Sequence, residues 1–138
     1  MKILYTAKAK ATGGRDGNVE TDDGVLKVEL TMPKQLGGPG KVGATNPEQL
    51  FASGYAACFE SAIRFVARGE KINLKNLSVF SEVSLIPATV GFALAVKLNP
   101  VFEELDQATC ERLTEKAHQV CPYSNAIKGN VEVQIKVN

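Results

Sequence analysis

The stretch 46–69 constrains the fold more than any other part of the chain. Asn46 can cap a helix, Pro47 suits the first helical position, Glu48 complements the positive end of the dipole, and Gln49 stands three residues after the cap. From there Leu50, Phe51, Gly54, Tyr55, Cys58, Ala62, Phe65 and Val66 recur every three or four residues as far as Arg68, and Gly69 closes the run. Polar residues are few and come late, at Glu60, Arg64 and Arg68. A helix apolar around so much of its circumference has to be buried on several sides. The pattern therefore predicts a central helix with the other elements packed about it.

Those other elements are mostly strands. Residues 2–11 alternate, with Ile3, Tyr5, Ala7 and Ala9 opposed to lysines 2, 8 and 10, which reads as a half-buried strand. Residues 12–17 are too rich in glycine to continue it. A short strand at 18–21 meets Asp22-Asp23-Gly24, a hairpin signal, and 25–30 returns. Residues 33–45 carry Pro33, Gly37, Gly38, Pro39, Gly40 and Gly43 and form a long loop, of the kind that often serves as a lid or binding segment. Beyond the central helix, 77–86 and 91–101 read as a strand pair joined through Pro87. Asp106 caps a second helix through about residue 119, Cys121-Pro122-Tyr123-Ser124-Asn125 stops it, and 131–137 alternates as a last strand. Strands, helix, strands, helix, strand is an α+β order with largely antiparallel sheets. At 138 residues it fills one domain, 1–138.

Composition narrows the function. Sixteen Lys and Arg against fifteen Asp and Glu give a formal charge of +1, too balanced for a nucleic-acid-binding face. The start of the chain alternates instead of running apolar, unlike a signal peptide, and the longest apolar stretch, 50–59, falls short of the ~20 residues a bilayer needs. No membrane association and a cytoplasmic, reducing setting are expected. Three cysteines, at 58, 110 and 121, are too few and too scattered for a disulfide framework. In a reducing compartment a pair of them points to catalysis or metal binding.

Each chemical candidate has a plain structural counterpart. Cys58, in mid-helix, is either a small core residue or a nucleophile. Cys121 lies at a helix-to-loop boundary before a proline, where a sulfur can be exposed and mobile, while Cys110 falls on the buried stripe of the second helix. His118 and Cys121, with Cys58 and Cys110, make four possible zinc ligands, though without a Cys-x-x-Cys knuckle. A Cys/His nucleophile pair is open as well, but His118 has no orienting partner in the sequence. Arg15 is a solvated turn residue or a placed cation, and Glu48 a dipole-matching residue or its partner.

Two motifs carry a family resemblance. Asn46-Pro47-Glu48-Gln49-Leu50-Phe51-Ala52-Ser53-Gly54-Tyr55-Ala56-Ala57-Cys58-Phe59 resembles the central-helix motif of the organic hydroperoxide resistance (Ohr) proteins, and Val120-Cys121-Pro122-Tyr123-Ser124-Asn125-Ala126 resembles their second motif. Gly13-Gly14-Arg15-Asp16-Gly17, Asp22-Asp23-Gly24 and the glycine loop fit too, so the likeness runs the length of the chain. Tyr-Ser-Asn after Cys121-Pro122 favours the Ohr branch of the OsmC-like superfamily. The resemblance implies an OsmC-like fold, antiparallel sheets around a long central helix, in an intertwined homodimer. It implies a thiol-dependent peroxidase acting on organic hydroperoxides, including lipid-derived ones, in defence against peroxide stress. By the same resemblance Cys58 attacks the peroxide, Cys121 resolves it, and Arg15 and Glu48 are the catalytic arginine and its partner. No metal or prosthetic group is bound, and dihydrolipoyl groups on a lipoylated partner protein return the electrons. Lys128 where arginine is common, Ile127 where threonine is common, and Cys110 depart from the family pattern; none is among those four positions.

Elementary chemistry agrees with that assignment. An unperturbed cysteine, pKa ~8.5, is mostly thiol at neutral pH. Cys58 lies far beyond the first turn, where a helix dipole acts, so a cation must favour the thiolate. Arg15 can supply it, with Glu48 holding its planar fork. Yet Glu48 and Cys58 are ten residues apart, which on one straight helix is roughly 15 Å of rise and a different face. Either the helix breaks near Gly54, or Arg15 and Glu48 serve the Cys58 of a partner chain; the second is expected. An alkyl hydroperoxide also needs an apolar pocket, for which Phe51, Phe59, Met32 and Leu36 are candidates. Two rival functions remain on the same scaffold: a redox sensor or ligand-binding protein without turnover, and a zinc-stabilised domain using His118.

Overall fold

The computed structural model describes residues 1–138, which divide into two compact units, Met1–Leu50 and Phe51–Asn138. The first is a small antiparallel sheet: β1 (Ala9–Thr12), β2 (Asn18–Thr21) and β3 (Lys27–Glu29), in the order β1-β2-β3. Ala9 pairs with Thr21 and Val19 with Val28, so the hairpin falls at the Asp-Asp-Gly signal. Its turn is held by the Asp23 carboxylate, which accepts from the Thr21 hydroxyl at 2.7 Å and the Val25 N–H at 3.0 Å. The expected strand at 2–11 forms only from residue 9. Residues 1–8 take no regular structure, and Ile3, Leu4 and Tyr5 are 73%, 88% and 82% exposed. Alternation supplied an apolar face, but this chain supplies nothing to cover it.

The long loop is tied down rather than slack. Thr31 N–H bonds to the Thr45 carbonyl at 2.8 Å, and Gly38 N–H to Pro33 at 3.1 Å. A Cβ on Gly38 would lie 2.4 Å from the Met32 Cβ, so this approach admits only glycine.

The central helix α1 spans Pro47–Gly69, 23 residues, without interruption at Gly54. Its start is capped as expected: Asn46 Oδ1 accepts the Gln49 N–H at 2.8 Å, and the Thr45 hydroxyl donates to Gln49 Oε1 at 2.6 Å. In the second unit Tyr55, Phe59, Ala62, Ile63 and Ala67 of this helix form the core with Val96, Leu98, Phe102, Cys110, Leu113, Ala117 and Cys121. The sheet beneath is β4 (Leu77–Pro87) and β5 (Phe92–Phe102), antiparallel in full register from Leu77↔Phe102 to Pro87↔Phe92, followed by β6 (Val133–Ile135). Strand β6 runs parallel to β5. The helices between them, α2 (Gln107–Val120) and α3 (Pro122–Ile127), form a crossover, and a strand that returns through a crossover pairs parallel.

Helix α3 stands where the sequence pattern predicts only a stop at Pro122, because proline is equally at home as the first residue of a new helix, where its missing N–H costs nothing. The architecture is thus mixed α+β, with two three-stranded sheets and one long helix. No helix is long and apolar enough to cross a membrane.

Candidate active site

In the first unit the sequence builds an arginine fork. Residues Gly14–Asp16 form a 3-10 turn entered through Gly13 at φ +83°. Gly17 follows it, where a Cβ would lie 1.7 Å from the Thr12 carbonyl oxygen. Asp16 ties the turn to the start of the long loop by accepting the Met32 N–H at 3.0 Å. Arg15 projects from this turn, and both its terminal nitrogens donate to Glu48, Nη1 to Oε2 at 2.9 Å and Nη2 to Oε1 at 2.6 Å. The Arg15 hydrogen bonds hold the Glu48 carboxyl below its ordinary range, and the carboxylate raises the guanidinium in turn. The expected Arg15–Glu48 pair is therefore formed, and bidentate.

In the second unit the two cysteines meet. Cys58 and Cys121 are 63 residues apart in sequence, and the Cys121 thiol donates to Cys58 Sγ at 3.5 Å. Closing a disulfide bond of about 2.05 Å needs a further approach of about 1.5 Å. Cys58 is partly accessible, whereas Cys121 is wholly buried. That corrects the expectation of an exposed, mobile sulfur at residue 121: α3 continues the chain where a loop was expected, and encloses the thiol. Burial pushes the Cys58 thiol up, the Tyr123 backbone N–H pulls it down, and Cys121 adds to the upward push. All three influences arise within residues 51–138. Cys110 is buried, donates to the Leu105 carbonyl at 3.6 Å, and is raised chiefly by burial.

An aromatic cluster forms between α1, which carries Cys58, and the start of α3, just after Cys121. The ring of Phe51 stands 6.2 Å from Tyr55 and 5.9 Å from Tyr123, both edge to face, and Tyr55 lies 5.7 Å from Tyr123. Of the four residues expected to line an apolar pocket, Phe51 and Met32 are half-buried and Leu36 is exposed. Phe59 is fully enclosed by the core, 6.3 Å from Tyr55 and from His118. Its spacing fits the helix face that packs inward, so in this chain it offers no surface to a substrate.

His118 has the orienting partner that the sequence did not reveal. Its Nδ1 lies 2.8 Å from Ser124 Oγ, and Ser124 Oγ lies 2.6 Å from the Tyr55 hydroxyl. Burial lowers the His118 pKa, with Lys128 adding to the effect. No group of three or more His, Cys, Asp or Glu is arranged to hold a metal ion, so the zinc reading finds no ligand set. Neither Tyr55 nor Ser124 carries a chemical signature in the sequence, since each looks like ordinary filling. The available signal was position: Tyr55 is one helical turn before Cys58, and Ser124 one turn after Cys121.

Known proteins resemble the chain along nearly its whole length. Residues 38–136 match the OsmC-like protein family. An organic hydroperoxide resistance protein of Xanthomonas axonopodis pv. citri is 47% identical over 135 residues, which cover 97% of this chain and 94% of that protein. Organic hydroperoxide resistance protein OhrA of Bacillus subtilis is 44% identical over 136 residues, 97% and 96% of the two chains. The crystal structure of an organic hydroperoxide resistance protein from Legionella pneumophila superposes with a TM-score of 0.94 at 59% identity, covering 99% of each chain.

Proposed function

The chain belongs to the OsmC-like family and, within it, to the organic hydroperoxide resistance proteins, and from that premise we propose that it is a cysteine peroxidase that reduces organic hydroperoxides to alcohols. The observation that carries this reading is the 3.5 Å approach of Cys58 and Cys121. One sulfur is open to a substrate and the other is shielded, a division of labour that suits an attacking and a resolving thiol.

The Cys58 thiolate attacks the distal oxygen of ROOH. The O–O bond breaks, the alkoxide takes a proton and leaves as ROH, and the sulfur is oxidised to sulfenic acid, Cys58–SOH. The Cys121 sulfur then attacks Cys58–SOH, its proton and the hydroxyl leave as water, and the disulfide forms. A dihydrolipoyl dithiol on a lipoylated partner protein returns two electrons by thiol–disulfide exchange, ending as the cyclic lipoyl disulfide. No bound prosthetic group takes part.

Arg15 completes the first step. Burial opposes the Cys58 thiolate, so a cation has to be brought to it, and a guanidinium held by Glu48 is already oriented to stabilise thiolate and peroxide oxygens together. Since α1 is continuous through Gly54, a helix break does not bring Glu48 and Cys58 together. The reading adopted is that, in an intertwined homodimer, Arg15 and Glu48 of one chain serve Cys58 of the other.

The test is consumption of an alkyl hydroperoxide with dihydrolipoamide as reductant. Sustained turnover by the wild type, abolished in Cys58→Ser, is the expected result. In Cys121→Ser, Cys58 is expected to stop at the sulfenic acid. One disulfide per chain and no turnover would instead identify a redox sensor and end the enzymatic reading.

A further inference from the structure

Helix α3 is six residues long, and its only buried residue is Ser124. Ile127 also packs against the core, but a buried hydroxyl carries a desolvation cost unless it is bonded. Here the hydroxyl is bonded twice, at 2.6 Å to Tyr55 of α1 and at 2.8 Å to His118 of α2. Tyr55 is 0% exposed and Ser124 3%, so the bond between them does not exchange readily with water, while His118 is half-buried.

The placement of these residues gives the chain of bonds its meaning. Tyr55 precedes Cys58 by one turn of α1, and Ser124 follows Cys121 by one turn of α3. Two cross-links therefore join the same two segments side by side, the Tyr55–Ser124 hydrogen bond and the Cys58–Cys121 sulfur contact. Fixing one fixes the register of the other. Tyr123, between them, lays its hydroxyl end against Gly54, where a Cβ would lie 2.5 Å from it.

Resting on the peroxidase reading only for its biological purpose, we propose that Tyr55, Ser124 and His118 form a latch that positions Cys121 for attack on Cys58, making them positioning residues for the resolving step and not for the first. The latch holds the shielded sulfur in line before Cys58 is oxidised, so that the sulfenic acid is captured rather than oxidised further. Misplacement by about 1 Å is enough to slow such a step by one to two orders of magnitude.

A test independent of peroxide uses reduced full-length protein carrying Cys110→Ala, treated with one equivalent of methyl methanethiosulfonate. The reagent places a methylthio group on the accessible Cys58. Attack by Cys121 then breaks the Cys58–SCH3 bond, forms the Cys58–Cys121 disulfide and releases methanethiolate, which mass spectrometry follows as loss of the adduct. The variants are Tyr55→Phe and Ser124→Ala, each of which removes a hydroxyl with little change of shape, and His118→Asn, which keeps a hydrogen-bonding group near the Nδ1 position. The latch predicts an adduct lifetime roughly tenfold longer in Tyr55→Phe and Ser124→Ala, an unchanged rate of methylthio transfer to Cys58, and partial rescue in His118→Asn relative to His118→Leu. Closure at the wild-type rate in both hydroxyl deletions overturns the proposal. So does a fall in both steps together with the melting temperature, which marks a merely structural role. A wild type that closes the disulfide on schedule but consumes no hydroperoxide refutes the peroxidase and leaves the latch standing.

Discussion

Arg15 and Glu48 act as one unit because the guanidinium is flat and the carboxylate matches it with two parallel bonds. Arg15→Lys keeps the charge but loses the fork, so hydroperoxide consumption is expected to fall at least tenfold, well beyond what a retained point charge would give. Steady-state assays with dihydrolipoamide read this directly. The same pair sets an acid limit. The Arg15 bonds hold the folded Glu48 pKa below its ordinary 4.5, so its contribution to stability is complete above that value and is lost as pH falls through the folded one. His118 acts in a higher window. Burial lowers its folded pKa below the ordinary 6.5, so the unfolded chain takes up a proton first, and stability declines as pH falls from 6.5 toward the folded value. Melting curves against pH separate the two. Glu48→Gln is expected to run parallel to wild type above pH ~5.5 and converge with it below the ordinary glutamate range. His118→Asn is expected to remove the decline that begins near 6.5. Arg15 and Glu48 are 33 residues apart, so their pairing is legible only through the family resemblance, while the pairing of His118 with a serine six residues further along, on another helix, has no signal in the sequence at all.

Helix α1 was legible almost to the residue because its signals are local. Cap, first-turn proline, apolar recurrence and terminal glycine all sit within 46–69, and the helix occupies Pro47–Gly69. The cap bond from Gln49 N–H to Asn46 is 2.8 Å, so Asn46→Ala is expected to cost about 1 kcal/mol, a drop of roughly 4 °C in melting temperature. Helix α3 was illegible for the opposite reason. Six residues carry no periodicity to read, and Pro122 signals a beginning as readily as an end. The burial of Cys121, at the junction with α3, is illegible for the same reason. Gly54 tests how closely α3 rests on α1. Gly54→Ala gains about 1 kcal/mol of helix propensity, but its Cβ displaces the Tyr123 ring, whose hydroxyl end would be only 2.5 Å away. Stability is expected to change little in calorimetry, while Cys58 reactivity, read by the rate of thiol alkylation, falls as the Tyr123 N–H that favours its thiolate is moved. A parallel loss of both would mean that the ring cannot yield.

At the scale of the whole molecule, the alternation of residues 2–11 is a sequence signal that one chain does not fulfil. Ile3, Leu4 and Tyr5 are exposed, and so are Phe65, Phe80 and Phe92 of the second unit. Scattered apolar residues on a surface need no explanation, but Ile3, Leu4 and Tyr5 are three neighbours on an unstructured segment, and such a cluster suits a surface that another molecule covers. A second copy is the occupant expected from the family, and a chain of 14.8 kDa is then expected to elute and scatter light at twice that mass. The sharper question is whose arginine serves whose cysteine, and mixed dimers answer it. Cys58→Ser and Arg15→Ala are each expected to be inactive alone. If Arg15 serves the partner's Cys58, a dimer of one of each holds one intact site, made from the Cys58→Ser chain's arginine and the Arg15→Ala chain's cysteine. Unfolding and refolding the two together in equal amounts then restores about a quarter of wild-type turnover per chain, since about half the dimers are mixed and each has one working site of two. If each chain serves itself, every site in the mixture lacks either the thiol or the guanidinium, and no activity returns. Recovery that scales with the mixed-dimer fraction would make the dimer a catalytic necessity; its absence would return Arg15 to its own chain and overturn the shared site.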